Sequence, residues 1–141
     1  DAVQHVLPQF ELKKVVLTIQ ESSDAIWVKV NAREFSGCLA NIFENALFAS
    51  QPGATVFCDV VVRSSALFIE IKDSGCGMSE EVKSRLFEPF FTTRKDGTGL
   101  GLAIVRNLVS SYGGDISVES RQDFGSSFKI CLPLATAATK V

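Results

Sequence analysis

Two asparagines stand four residues apart in the segment NIFEN, Asn41 and Asn45. On a helix both amides project from one face. Their oxygens are hard, neutral ligands suited to Mg2+, which takes oxygen donors and keeps several of its waters. The same letters also read as surface or capping asparagines, but two mediocre helix formers on one mid-helix face ask for a reason. A second group lies in IEIKDSGCGM, residues 69–78, where a strand-like run delivers Asp73 and then Gly75 and Gly77. A carboxylate there accepts a hydrogen bond from an exocyclic amine such as that of adenine, and glycines let the backbone lie against a flat ring. A plain Asp-Ser-Gly turn accounts for the same residues. The third group is KDGTGLGLAIVRNLV, residues 95–109. Gly97, Gly99 and Gly101 alternate with Thr98 and Leu100, and an apolar helical pattern starts at once. Free N–H groups and the positive end of that helix would face whatever the glycines admit, a cradle for phosphate. A flexible loop with one packing glycine explains the stretch equally well. It is not a Walker-type loop, and it does not follow a strand as a dinucleotide fingerprint would.

Each group alone is modest. Their order, an oxygen-ligand helix, an Asp-x-Gly-x-Gly turn and a glycine-rich helix start, describes an ATP–Mg2+ site.

The surrounding elements must place these residues. ELKKVVLTIQES and AIWVKV read as strands split by SSD. Asn31 is the expected cap of a long helix, with Glu34 as its capping-box partner. Apolar residues at Phe35, Leu39, Ile42, Ala46 and Ala49 mark one face of that helix, which QPGA ends. TVFCDVVVRSSALFIEIKD reads as two strands joined at RSS, and Ser79 caps a short helix, EEVKSRLF. LGLAIVRNLVSSY is a second long helix stopped by Gly113 and Gly114. DISVES and SSFKICLPL are the closing strands, and ATAATKV is a frayed tail. The expected fold is α+β, a two-layer α/β sandwich whose mixed sheet carries its helices on one face. The 141 residues suffice for a single domain, with its core spanning about residues 10–134.

Composition narrows the function. A net charge of −2 offers no general pull toward DNA, RNA or an acidic membrane. Cys38, Cys58, Cys76 and Cys131 are too dispersed for a metal or disulfide framework, and buried free thiols in a reducing compartment are the expectation. No apolar run reaches the roughly 18 residues of a membrane helix. DAVQHVLPQF is not a signal peptide, and the lack of a starting Met points to a fragment of a larger protein. A cytoplasmic location is expected, with any membrane anchor of the parent in segments outside this chain.

NIFENA, DSGCGM, FEPFFTT, GTGLGLAIV and GSSF together resemble the successive boxes of the sensor histidine kinase ATP-binding domain, a member of the superfamily of gyrase, the heat-shock chaperones and MutL. The resemblance runs from about Asn31 to Pro133, and five boxes in order make it specific. It implies the Bergerat fold, with ATP held between helices under a lid. Carried over by match, Asn45 binds Mg2+ and Asn41 sits beside it at the triphosphate. Asp73 takes the adenine amine, and Gly75 and Gly77 shape the pocket. Gly97, Thr98, Gly99, Leu100 and Gly101 close over the phosphates. Ser126 stands near the adenine where many relatives have Thr. Phe87, Phe90 and Phe91 anchor the lid by apolar packing or serve the core. Arg94 lies where relatives often carry a basic residue that reaches phosphate.

The resemblance also bears on the reaction. Hydrolysing members of the superfamily carry Glu at the position of Asn41, as a base that activates water, and an amide cannot accept that proton. The site is therefore expected to position ATP for transfer, a reaction that depends on alignment and charge neutralisation. Glu44 falls on another face of the helix and reads as solvated or a minor helper. In the family the accepting histidine lies on a dimerising helical hairpin, usually before an acidic residue. His5 precedes Val6, and Pro8 should break any helix there, so His5 reads as a bystander. The chain is expected to be a monomeric catalytic half of a homodimeric parent, whose histidine-bearing dimerisation domain would take the phosphoryl group and pass it to a response regulator. A serine-directed kinase of the anti-sigma or mitochondrial type, a non-catalytic nucleotide sensor and an ATPase-driven clamp are the alternatives; Asn41 argues against the last.

Overall fold

A computed structural model of the chain describes residues 2–21, 28–92 and 101–135. It opens with a helix where the sequence suggested none, α1 (Ala2–Lys13), with Pro8 inside it. Interior proline costs a helix about 3 kcal/mol. Ala2, Val6 and Phe10 recur every four residues and are almost wholly buried, Val6 and Phe10 completely. Each of those larger side chains contributes roughly 1.5–3 kcal/mol on burial, so packing against the rest of the core outweighs the broken bond. The expected strand ELKKVVLTIQES is thereby cut in two. Glu11–Lys13 close the helix, Lys14 turns at φ 64, and only β1 (Val16–Glu21) is extended. The core therefore begins at Ala2 rather than near residue 10. Of the expected strand AIWVKV, residues 25–27 lie outside the described residues, and Val28 makes a single antiparallel bridge to Leu134.

α2 (Ala32–Ala49) starts as expected, with the Asn31 side chain accepting from the Glu34 N–H at 3.0 Å. The reverse half of the capping box is replaced by another contact. Glu34 Oε1 accepts from the Tyr112 hydroxyl at 3.2 Å, which ties the start of α2 to the end of a later helix.

β2 (Thr55–Arg63) and β3 (Ala66–Asp73) form a hairpin through Ser64 and Ser65, at φ 53 and 62. Two successive left-handed residues match the right-handed twist of the flanking strands. Ser79 caps α3 (Glu80–Arg85) by accepting from the Val82 N–H. α4 (Gly101–Ser111) is followed by Gly113 at φ +79. β4 (Asp115–Arg121) and β5 (Gly125–Pro133) complete the chain as a hairpin.

The five strands form one mixed sheet in the order β1-β2-β3-β5-β4, parallel between β1 and β2 and antiparallel elsewhere. Burial alternates along β3 and β5, so Leu67, Ile69, Ile71, Phe128, Ile130 and Leu132 point to one face. There they meet Ile42, Phe43, Val105 and Val109 of α2 and α4 in a single core. This is the expected sandwich with helices on one side of a mixed sheet. Of the cysteines, Cys38 and Cys58 are buried and Cys131 is half-buried, but Cys76 is exposed, against the expectation.

Candidate functional site

A cleft of about 670 Å³ opens between α2, the end of β3, the start of α4 and the β5 strand. Asn41, Asn45, Asp73, Gly77, Gly101 and Ser126 all line it. Residues up to 85 positions apart in the chain, from Asn41 to Ser126, are brought together in one place.

Asp73 is the last residue of β3 and is only 5% exposed. Its Oδ1 accepts from the Gly75 N–H at 2.9 Å. The Asp-Ser-Gly turn read from the sequence is therefore real, and it coexists with a place on the cleft wall. Burial pushes the Asp73 carboxyl above its ordinary value by penalising the charged form, and backbone N–H bonds from Gly75 and Ser126 only partly oppose this. A desolvated carboxylate that can only accept is suited to an amine donor of a bound base.

The glycines after Asp73 divide the work. Gly75 stands outside the lining, and a Cβ there would run into the backbone of Ala49 at the end of α2. Gly77 does line the cleft, at φ +68, with the Arg121 carbonyl where its Cβ would be. Only glycine combines that conformation with that approach. The β4–β5 hairpin grips the same loop, since the Asp123 N–H donates to the Cys76 carbonyl at 2.6 Å and the Met78 N–H to Ser120 Oγ at 2.8 Å.

At the other end of the cleft, the α2 helix presents both asparagines on one face, as the spacing requires. Asn45 Nδ2 donates to Asn41 Oδ1 at 3.3 Å, which orients the pair. Gly101, the first residue of α4, sits so close that a Cβ would overlap the Asn41 amide. The helix start and the asparagine pair are thus in contact, and α4 directs its N-terminal end at this part of the cleft. Arg94, Gly97, Thr98, Gly99 and Leu100 lie outside the described residues.

Glu44 lies in a separate depression of about 360 Å³, with Asn41, Arg33 and the exposed His5. It does not line the main cleft. Among the expected lid phenylalanines, Phe91 lines the cleft, with the Arg85 guanidinium 4.6 Å from its ring centroid, and Phe87 packs on the core. Phe90 does neither. It is 74% exposed at φ 69, a left-handed turn residue that throws its ring outward.

The sequence reading missed Phe48, Met78, Leu86 and Phe128 on the walls. Phe48 was within reach, because it follows Asn41 and Asn45 at helical spacing on the same face. Met78, Leu86 and Phe128 carried no signal separating a cleft wall from a core.

Comparison with known proteins shows the family and the fold. The model of the histidine kinase-, DNA gyrase B- and HSP90-like ATPase family matches residues 19–136. The swarming motility regulation sensor protein RssA of Serratia marcescens is 39% identical over 137 residues, which cover 92% of this chain and 28% of that protein. Sporulation kinase A of Bacillus subtilis is 30% identical over 125 residues, 89% of this chain and 21% of that protein. The chain thus spans about a quarter of the length of these relatives. Among solved structures, the nucleotide-free catalytic domain of histidine kinase ThkA superposes with a TM-score of 0.83 at 25% identity, covering 94% of this chain and 87% of that one. Full-length ShkA in complex with AMPPNP superposes with a TM-score of 0.84 at 26% identity, covering 99% of this chain and 30% of that one. Sequence and fold converge: the chain belongs to the histidine kinase-, gyrase B- and HSP90-like ATPase family and carries the ATP-binding catalytic fold of the sensor histidine kinases.

Proposed function

We propose that this chain binds ATP with Mg2+ and donates the γ-phosphoryl group to a histidine on a separate dimerisation segment of its parent protein, from which a response regulator takes it. The observation that carries the reading is a single cleft with a buried carboxylate, Asp73, at one end and an asparagine pair against a helix N-terminus at the other. A purine amine fits the first end and a triphosphate the second. The relative ShkA, whose structure contains the ATP analogue AMPPNP, shares the fold.

The asparagine end fits a magnesium ion. Among the described residues, no three His, Cys, Asp or Glu side chains gather around a point. The hard oxygens beside the helix start are amide oxygens, and Mg2+ takes oxygen donors while keeping several of its waters. Asn45 would hold the ion and Asn41 would orient the triphosphate. When bound, Mg2+ supplies charge neutralisation on the phosphates. Asp73 sets the depth of the base, and the N-terminal end of α4 stabilises negative charge at the far end. Gly97, Thr98, Gly99 and Leu100 would add main-chain N–H groups there, and Arg94 a cation. Asn41 has no lone pair basic enough to deprotonate water, so the site aligns ATP for an incoming nucleophile instead of hydrolysing it. The acceptor histidine would belong to another segment of the parent, since His5 precedes Val6 where an acceptor histidine usually precedes an acidic residue; His5 itself is exposed, in the depression beside Glu44. The chain alone is a monomer that works in the cytoplasm, and its parent is a homodimer. No described helix is long and apolar enough to cross a membrane.

The test is transfer of label from γ-labelled ATP to a histidine-bearing hairpin, with a serine-bearing partner in parallel. Acid-labile product on the hairpin is expected. Acid-stable product on the serine partner would assign a serine kinase, and steady phosphate release without acceptor would assign a clamp-type ATPase.

A further inference from the structure

Ser120, on β4, is half-buried, and its position in the cleft's support is not accounted for by the roles above. Its Oγ lies 2.8 Å from the Met78 nitrogen, 3.1 Å from the Gly125 carbonyl oxygen and 2.8 Å from Ser126 Oγ. Ser120 and Ser126 are cross-strand partners on β4 and β5, so the sheet register holds this geometry.

A hydroxyl has one proton and two lone pairs. The Met78 N–H can only donate, so it takes one lone pair of Ser120. The Gly125 carbonyl can only accept, so it takes the Ser120 proton. The remaining neighbour, Ser126, must then donate its own proton to the second lone pair of Ser120. Ser126 lines the cleft next to Asp73, its partner across β3 and β5. With its proton drawn away, Ser126 turns only lone pairs toward the cleft. The floor beneath the base is then two acceptors side by side, a carboxylate and a hydroxyl oxygen.

We infer that Ser120 is a specificity-determining positioning residue: it fixes Ser126 as an acceptor and so favours a purine with an amino group at carbon 6 over one with an oxo group there. The inference rests on the ATP reading and extends it. An amino-purine meets the two acceptors with N–H donors. A 6-oxo purine sets an acceptor against them and keeps a single N–H on that edge, at ring nitrogen 1, where the amino-purine offers two N–H bonds on one nitrogen, so the two acceptors are matched less well. Ser120 touches no nucleotide; it acts through Ser126.

The experiment measures calorimetric affinities of the purified chain for ATP and inosine triphosphate, each with Mg2+, in the parent, Ser120→Ala, Ser120→Thr, Ser126→Ala and the Ser120→Ala/Ser126→Ala double variant. Binding of ATP by the parent is the check on the ATP reading; no binding overturns that reading and this inference with it. Given binding, Ser120→Ala frees the Ser126 proton to meet a 6-oxo group, and the preference for ATP should shrink about fivefold to tenfold, the range of one hydrogen bond. Ser120→Thr keeps the hydroxyl and should keep the preference. In the Ser126→Ala background, the substitution at 120 should no longer change the preference. Should Ser120→Ala not fold, the near-isosteric Ser120→Cys, a weak hydrogen-bonding group, takes its place with the same expected direction. An unchanged preference in folded Ser120→Ala, or the same change with and without Ser126, would overturn the assignment while leaving ATP binding intact.

Discussion

Replacing Asp73 by Asn tests the base end of the cleft, because it separates affinity from stability. The side chain is 5% exposed and holds the Gly75 N–H at 2.9 Å. A hydrogen bond to a charged acceptor contributes about 1.5–3 kcal/mol net, and each 1.4 kcal/mol is tenfold in dissociation constant. Asp73→Asn should therefore weaken ATP roughly tenfold to a hundredfold, read by calorimetry at neutral pH. The fold should not suffer in proportion. Burial holds the Asp73 carboxyl above the ordinary 3.8, so the folded state binds its proton more tightly than the unfolded state does. The contribution of Asp73 to stability is then fully present below the unfolded value and is lost as pH rises through the raised one. Removing the charge at neutral pH relieves that cost, which offsets the poorer fit of an amide NH2 beside backbone donors. The melting temperature should stay within a few degrees of the parent. Affinity runs the other way, since the amine needs the ionised acceptor: ATP binding should strengthen as pH rises through the same window in the parent. Protonation of the base and phosphates is common to both proteins, so the difference between them isolates Asp73. Parent-like affinity in Asp73→Asn, or an identical pH profile, would refute the assignment.

Asn45→Ala should cost about tenfold in ATP affinity with Mg2+ present, and nothing when the ion is chelated; an equal loss in both conditions would take Asn45 off the metal. Gly101→Ala places a methyl group where the Asn41 amide lies, and that side chain can swing aside, so thermal stability should hold while ATP affinity falls about fivefold. A collapse in melting temperature would show that the contact is structural. Phe10→Ala should cost about 3–5 kcal/mol by opening a cavity under α1, a fall of roughly 10–20 °C in melting temperature, whereas Leu12→Ala, at an 88% exposed position of the same helix, should stay within about 0.5 kcal/mol.

The chemistry of this chain was largely written in local spacing. Asn41 and Asn45 share a face because a helix repeats every 3.6 residues. Asn31 and Ser79 cap helices because their side-chain oxygens satisfy N–H groups that each helix leaves open. Asp73 ends its strand where alternation stops and glycines begin. These are short-range facts, so they survive in a bare sequence. What the fold decided were cases where long-range packing opposed a local signal or chose between equal ones. Pro8 argued against a helix, and the burial of Val6 and Phe10 overruled it. Phe87, Phe90 and Phe91 are one amino-acid type in a short run, yet one packs on the core, one faces solvent and one lines the cleft. The pairing of Ser120 with Ser126 depends on hairpin register, and a slip of β4 by one residue would send the Ser120 hydroxyl to the other face of the sheet, away from Ser126. Spacing along the chain determined which groups could do chemistry, and only tertiary contact decided which way their protons and rings would point, because hydrogen bonds and burial are made between residues far apart in sequence.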